Sequence, residues 1–264
     1  MKKIMALIAA ILLSWNCLPT NTISASKTSS HVNTQHISRH WKKSKDNIKF
    51  PILMYHSIAP TGNSLNVPIE QFREELSYLK RKHFYFLTPE EAYTVLKTNK
   101  KPRKNIVWVT LDDGYKNNFD ALKNIHKNYK AKATVFDIIN SQNASSFLSY
   151  YQIKALKESH IAIQNHTFHH LELNKLSNDK QIEEIDRAKN SLDIFLHQNT
   201  ISMAYPAGRY NQTTPLIARD TGHKLAVTTN EGLASRDNGL LTLNRVRVNK
   251  GIGLQEFERI INHG

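Results

Sequence analysis

The run Ile106-Val107-Trp108-Val109-Thr110-Leu111 passes without a break into Asp112-Asp113-Gly114. Six apolar or β-branched residues in succession leave no polar face, the pattern of a central strand covered on both sides in a parallel sheet. Further strand candidates lie at residues 50–55, 133–138, 161–164, 201–205, 224–227 and 242–248. Helical periodicity fills the gaps between them. Residues 68–82 place Ile69, Phe72, Leu76 and Leu79 on one face at spacings of three and four. In Thr88-Pro89-Glu90-Glu91, Thr88 can cap a second helix, Pro89 suits its first position and Glu91 completes a capping box. The stretch around Pro102 ends that pair of helices. Further helices are expected near 118–128, 150–158, 177–197, 214–221 and 254–262. Consecutive parallel strands need helical crossovers, so seven strands alternating with helices predict an α/β fold. The expected form is a distorted or incomplete (β/α) barrel of about seven parallel strands.

The 264 residues suffice for one large domain or two small ones. Hydrophobic residues at 40% and charged residues at 22% exclude a disordered chain, a collagen and a multi-span membrane protein. Lys and Arg number 36 against 22 Asp and Glu, a formal charge of +14 that asks for an acidic partner. Lys2-Lys3, the apolar run from Ile4 to Leu13 and the small pair Ser24-Ala25 predict an export signal over residues 1–25. The apolar run is too short for a membrane span, which needs about 20 residues. The single cysteine, Cys17, falls inside this segment, so the exported part would carry no disulfide. Residues 26–47 are polar and carry a net charge of +4, which reads as a flexible basic arm; His31, His36 and His40 within it read as solvated side chains. Residues 48–264 then form the folded domain.

In parallel α/β folds, sites gather where strands end at the carboxyl edge. Tyr55-His56, Asp112-Asp113, Asn165-His166 and Tyr205-Pro206-Ala207-Gly208 each follow a strand there. Adjacent carboxylates at the end of a buried strand repel each other and call for a cation or a shared proton. His166 and His170 stand at i and i+4, so both can point to one centre if the segment turns helically. Two histidines with one carboxylate and an open position form a catalytic metal set that accepts Zn²⁺ and neighbours such as Co, Ni or Fe. Turn residues before Gly114 and an exposed polar loop are the plainer readings of the two segments, and both weaken because the segments share one edge.

Thr110-Leu111-Asp112-Asp113-Gly114 resembles the T-F-D-D-G motif of the NodB-type polysaccharide deacetylases, carbohydrate esterase family 4. His166-Thr167-Phe168-His169-His170 resembles the same family's H-[ST]-x-x-H motif. The likeness spans roughly residues 104–264. Pro51-Ile52-Leu53-Met54-Tyr55-His56 further resembles the extra strand of the biofilm branch, the poly-β-1,6-N-acetylglucosamine N-deacetylases, and the exported, basic, single-domain character is that of its staphylococcal members. The resemblance implies that Asp113, His166 and His170 hold a divalent metal and that Asp112 is the general base. Met203-Ala204-Tyr205-Pro206-Ala207-Gly208 stands where the family has F-R-P-P-Y-G, which implies an oxyanion-binding N–H at Ala207 with Tyr205 beside it. His169 is expected to support the loop or face solvent.

Two family residues are missing. Leu243-Asn244-Arg245 replaces the L-x-H histidine, and Ala204 replaces the motif arginine. Arginine stays protonated and cannot serve as a normal proton donor. Arg245 is therefore expected to orient Asp112 and lower its pKa, while His56, a metal-bound water or a ligand histidine supplies the proton to the leaving amine. Slow turnover would follow. The expected activity is metal-dependent N-deacetylation of poly-β-1,6-N-acetylglucosamine. A peptidoglycan or chitin N-deacetylase, and a surface polysaccharide-binding protein without catalysis, are the alternatives. The excess charge suggests an anionic cell wall or membrane surface as partner, and nucleic acid is not expected, since no helix-turn-helix, zinc-finger or RNP signature occurs. The protein is expected to be a secreted monomer.

Overall fold

The computed structural model describes residues 34–264. The expected export signal, the start of the arm and His31 lie outside them. Seven parallel strands form the barrel: β1 (Ile52–Tyr55), β2 (Ile106–Leu111), β3 (Ala133–Asp137), β4 (Ile161–Asn165), β5 (Ser202–Ala204), β6 (Leu225–Glu231) and β7 (Leu243–Arg247). Each pairs with its neighbour in sequence from β2 to β7, and β1 sits between β7 and β2. Register runs from Ile52 opposite Trp108 to Tyr55 opposite Leu111 on one side of β1, with Leu53 opposite Val246 on the other. The barrel is therefore closed, with the strand count expected from the apolar runs. Tyr85–Phe86 adds a short parallel strand against β2 outside the ring.

Helices α1 (Ile69–Arg81), α2 (Pro89–Thr98), α3 (Asn118–Leu122), α4 (Ile125–Tyr129), α5 (Tyr150–Glu158), α6 (Asn178–Leu196) and α7 (Thr214–Asp220) fill the crossovers, and α8 (Leu254–His263) follows β7. The capping box opens α2 as expected: Thr88 Oγ1 accepts from the Glu91 N–H at 3.2 Å, and Glu91 Oε2 accepts from the Thr88 N–H at 2.8 Å. Among the described residues no helix is long and apolar enough to cross a membrane.

Strand alternation explains how an apolar run delivers a polar site. On β2, Val107, Val109 and Leu111 join the large core shared with α1 and α8, through Phe72, Leu76 and Phe257. Ile106 and Trp108 face the other way, into the cluster with Phe136, Ala204 and Leu243. Period two keeps Thr110 and then Asp112 on the side of Trp108. The Trp108 indole N–H donates to Thr134 Oγ1 at 2.8 Å, so this face is packed and hydrogen-bonded up to the mouth where Asp112 emerges.

The expected arm is only partly an arm. Trp41 packs against the inner cluster, and Lys42–Lys43 pair antiparallel with Lys100–Lys101. Asn99, in the left-handed conformation at the end of α2, holds the segment: its side chain donates to the Ser44 and Asp46 carbonyls and accepts from the Ile48 N–H. Composition alone pointed to flexibility here because the partner strand lies more than fifty residues away.

Candidate active site

Asp112 is 2% exposed and Arg245 fully buried, and the two meet in a bidentate pair: Nη1 to Oδ1 at 2.7 Å and Nη2 to Oδ2 at 2.6 Å. The guanidinium is fixed by its Nε, which donates to the Thr228 carbonyl at 2.7 Å. Burial alone would raise the Asp112 pKa, but the Arg245 charge and its hydrogen bonds outweigh it and hold the carboxyl well below the usual range. Arg245, on the seventh strand, thus orients the Asp112 carboxyl and favours its ionised form.

Asp113, His166 and His170 each offer a ligand atom, and these atoms all lie within 4.8 Å of one another. Both imidazole Nε2 atoms face Asp113 Oδ1, at 3.3 Å from His166 and 3.4 Å from His170. His166 Nδ1 stands 2.9 Å from the Ala204 carbonyl, which can only accept, so Nδ1 carries a proton and Nε2 is the atom turned toward Asp113. Burial pushes the His166 pKa down, yet the Asp113 hydrogen bond and the Asp112 and Asp113 charges raise it overall. For His170, burial and then the His166 charge lower it. This set of one carboxylate and two imidazoles fits a divalent ion of the Zn²⁺ type.

The histidines converge by a different route from the helical turn expected. Residues 166–170 are irregular, and Thr167 (φ 66°) and His170 (φ 60°) adopt left-handed backbone. Asp113 (φ 75°) and Ala207 (φ 51°) do the same. Such conformations cost free energy in residues other than glycine and persist where the surroundings enforce them. Here the enforcement is visible. The Thr167 N–H donates to Asn165 Oδ1 at 2.6 Å, and Glu184 on α6 takes the His169 N–H at 2.8 Å and faces His169 Nδ1 at 2.6 Å. His169 therefore supports the loop. Glu184 was not legible from sequence, since nothing in a helix face announces a grip on a loop fifteen residues earlier. Tyr115, not singled out by sequence, lies close to the Asp113 carboxylate; burial and then that carboxylate push its phenol up to about 12.

His56 follows β1, and its Nδ1 is buried without a hydrogen-bond partner among the described residues. Burial lowers its pKa, while the Asp112 and Asp113 charges raise it and those of Arg245 and His166 lower it. Tyr205 departs from expectation: its side chain is fully buried, its hydroxyl donates to the Leu241 carbonyl at 2.9 Å and its ring stacks on Tyr210. Its phenol is thereby engaged with the protein rather than free at the mouth. Gly208 makes the following turn possible, because a Cβ there would lie 2.0 Å from Thr229 Oγ1.

A closed barrel carrying an ionised acid beside an Asp–His–His cluster at its carboxyl mouth is the architecture of the polysaccharide deacetylases, and the chain belongs to that family as an enzyme. Residues 99–226 match the family's sequence profile, described as polysaccharide deacetylase. The YxkH protein of Bacillus subtilis, assigned to the polysaccharide deacetylases, is 41% identical over 82% of this chain and 77% of its own length. The deacetylase PplD of Streptococcus pyogenes, solved with acetate, is 39% identical with a TM-score of 0.78 over 82% of this chain and 99% of that one. The poly-β-1,6-N-acetyl-D-glucosamine N-deacetylase of Staphylococcus aureus is more distant, at 24% over 71% of this chain and 69% of its own. The staphylococcal character expected from sequence is therefore the weaker of these likenesses.

Proposed function

We propose that this protein is a secreted, metal-dependent deacetylase that hydrolyses acetamides of poly-β-1,6-N-acetylglucosamine at the cell surface, releasing acetate and leaving free amines. The buried Asp112–Arg245 pair beside Asp113, His166 and His170 carries the proposal. Asp113, His166 and His170 would hold the ion. When bound, a divalent ion supplies Lewis acidity toward the amide carbonyl and lowers the pKa of a water. Asp112 takes the proton of the attacking water as its oxygen joins the acyl carbon. Arg245 keeps that base ionised and aimed. The Ala207 N–H donates to the oxyanion of the tetrahedral species. His56 gives a proton to the amine nitrogen as the C–N bond breaks, which balances the proton taken by Asp112. The polymer assignment draws on the S. aureus relative and on the missing arginine and histidine.

Acetate release from β-1,6-linked and β-1,4-linked N-acetylglucosamine oligomers tests it, with chelation and metal re-addition. Activity on the β-1,6 oligomer, lost with EDTA and restored by Zn²⁺ or Co²⁺, is expected. Preference for the β-1,4 oligomer would move the substrate to peptidoglycan or chitin, and activity indifferent to chelation would remove the metal.

A further inference from the structure

In a parallel barrel, every segment that leads into a strand lies on the face opposite the catalytic mouth. On this chain, the segments leading into the Tyr85–Phe86 strand, β2 and β3 are residues 80–83, 97–104 and 127–132. They carry eleven Lys and Arg residues and no Asp or Glu. Between them opens a groove of about 330 Å³, lined by Lys80, His83, Arg103, Lys130 and Lys132 together with Tyr85 and other aromatic residues. Lys132 is neutralised by Glu91 at 2.8 Å, and Lys80 donates to the Asn128 carbonyl. Among the described residues, no carboxylate pairs with Arg103 or Lys130, and both are exposed.

A second observation points the same way. Lys42 pairs with Lys101 and Lys43 with Lys100 across the small antiparallel ladder, two residues before Arg103. Like charges placed directly opposite across strands are destabilising. The fold thus sets two lysine pairs opposite each other, one on each face of a ladder that lies close in sequence to Arg103 of the groove, an arrangement that an anionic occupant would relieve.

We infer that the amino-terminal face of the barrel docks a linear phosphodiester polymer, with Arg103 and Lys130 in the groove and the lysine ladder beside it. The face is chosen for a chain rather than a bilayer on two grounds. It is concave, and the large exposed apolar side chains of the described residues, Tyr150, Tyr151, Leu171, Ile182, Ile194 and Leu216, all lie outside the basic segments. A membrane-binding face would pair its lysines with such residues. The proposed substrate is not the occupant either, since deacetylation makes it cationic and this face repels it. Docking here leaves the catalytic mouth turned outward toward the polysaccharide.

The test is binding of the full chain to poly(glycerol phosphate), with phosphatidylglycerol vesicles as a second arm, each over a range of salt. Tight, salt-sensitive binding to the polymer is expected. Arg103→Gln with Lys130→Gln should weaken it roughly tenfold and flatten the slope of log affinity on log salt by about 1.4. Lys42→Gln with Lys43→Gln should act in the same direction, and Lys154→Gln with Lys175→Gln, which removes equal charge elsewhere, should not. Acetate release from a short N-acetylglucosamine oligomer should be unchanged in every variant. Equal weakening by the control pair, no effect of the groove pair, or tighter binding to the vesicles than to the polymer would overturn the docking site. Absence of acetate release from the unmodified protein would count against the catalytic proposal and leave this one standing.

Discussion

Arg245 decides the state of the general base. It satisfies both oxygens of a carboxylate that burial would otherwise neutralise, and among the described residues it is the one Lys or Arg paired with Asp112. Replacing it with Gln leaves burial as the dominant influence, so the Asp112 pKa rises and the acid limb of the pH–activity profile moves to higher pH. At neutral pH the loss of a functional base should cost about 10²–10⁴-fold in rate. Removing one partner of a buried ion pair also costs about 3–5 kcal/mol of stability, so melting and pH profiles should be recorded together. An unchanged profile would show that Arg245 does not tune the base. Gly208 and Ala207 make a contrasting pair. Gly208→Ala meets Thr229 at a left-handed position (φ 67°) and should cost on the order of 1–2 kcal/mol, with kcat falling further as the Ala207 N–H shifts. Ala207→Gly keeps the N–H and relieves the backbone, so activity near that of the unmodified chain is expected in the same acetate assay.

At the scale of elements, β2 and the loop after β4 show what sequence reasoning reaches. Alternation along 106–111 is local, and it correctly carries Asp112 to the mouth. The approach of His166 and His170 was legible from spacing, but its mechanism was not, because Thr167 and His170 are left-handed in a loop held by Asn165, Thr167 and Glu184 rather than by a helical repeat. Distant partners are what a local pattern omits. The same reason hid the pairing of Lys42–Lys43 with Lys100–Lys101. That ladder yields a direct prediction: Lys43→Glu converts its pair with Lys100 into an attractive one and should raise stability by about 0.2–1 kcal/mol in denaturant melts without polymer.

Across the whole molecule, one buried acid bears on pH dependence. Glu75 on α1 is 1% exposed, accepts from Tyr55 at 2.7 Å and from Gln71 at 2.9 Å, and Gln71 in turn reaches the Asn249 carbonyl and the Gly251 N–H. This network ties α1 to β1 and to the loop after β7. Burial raises the Glu75 pKa to about 7, outweighing these hydrogen bonds. A raised carboxyl binds its proton more tightly when folded, so its contribution is full below the unfolded value near 4.5 and is lost as pH rises through about 7. Glu75→Gln should therefore remove a decline on the order of 3 kcal/mol between pH 4.5 and 8, read from melts across that range. All seven strands and the order of the site segments around the barrel were legible, because most are short apolar runs bounded by polar stretches; β7, with Asn244, Arg245 and Arg247, is the exception. Closure was not, since pairing of β1 with both β2 and β7 joins segments that no short window of sequence contains.

That closure also orders the folding reaction. β1 comes first along the chain, yet one of its edges is filled only by β7, which also completes β6. Until residues 243–247 arrive, both strands present bare hydrogen-bonding edges, and the ring pairs segments almost two hundred residues apart. Such long-range pairing makes folding slow. A chain whose barrel cannot seal before its last strand is available remains longer in an open form, and a truncation before residue 243 leaves two strands free to aggregate.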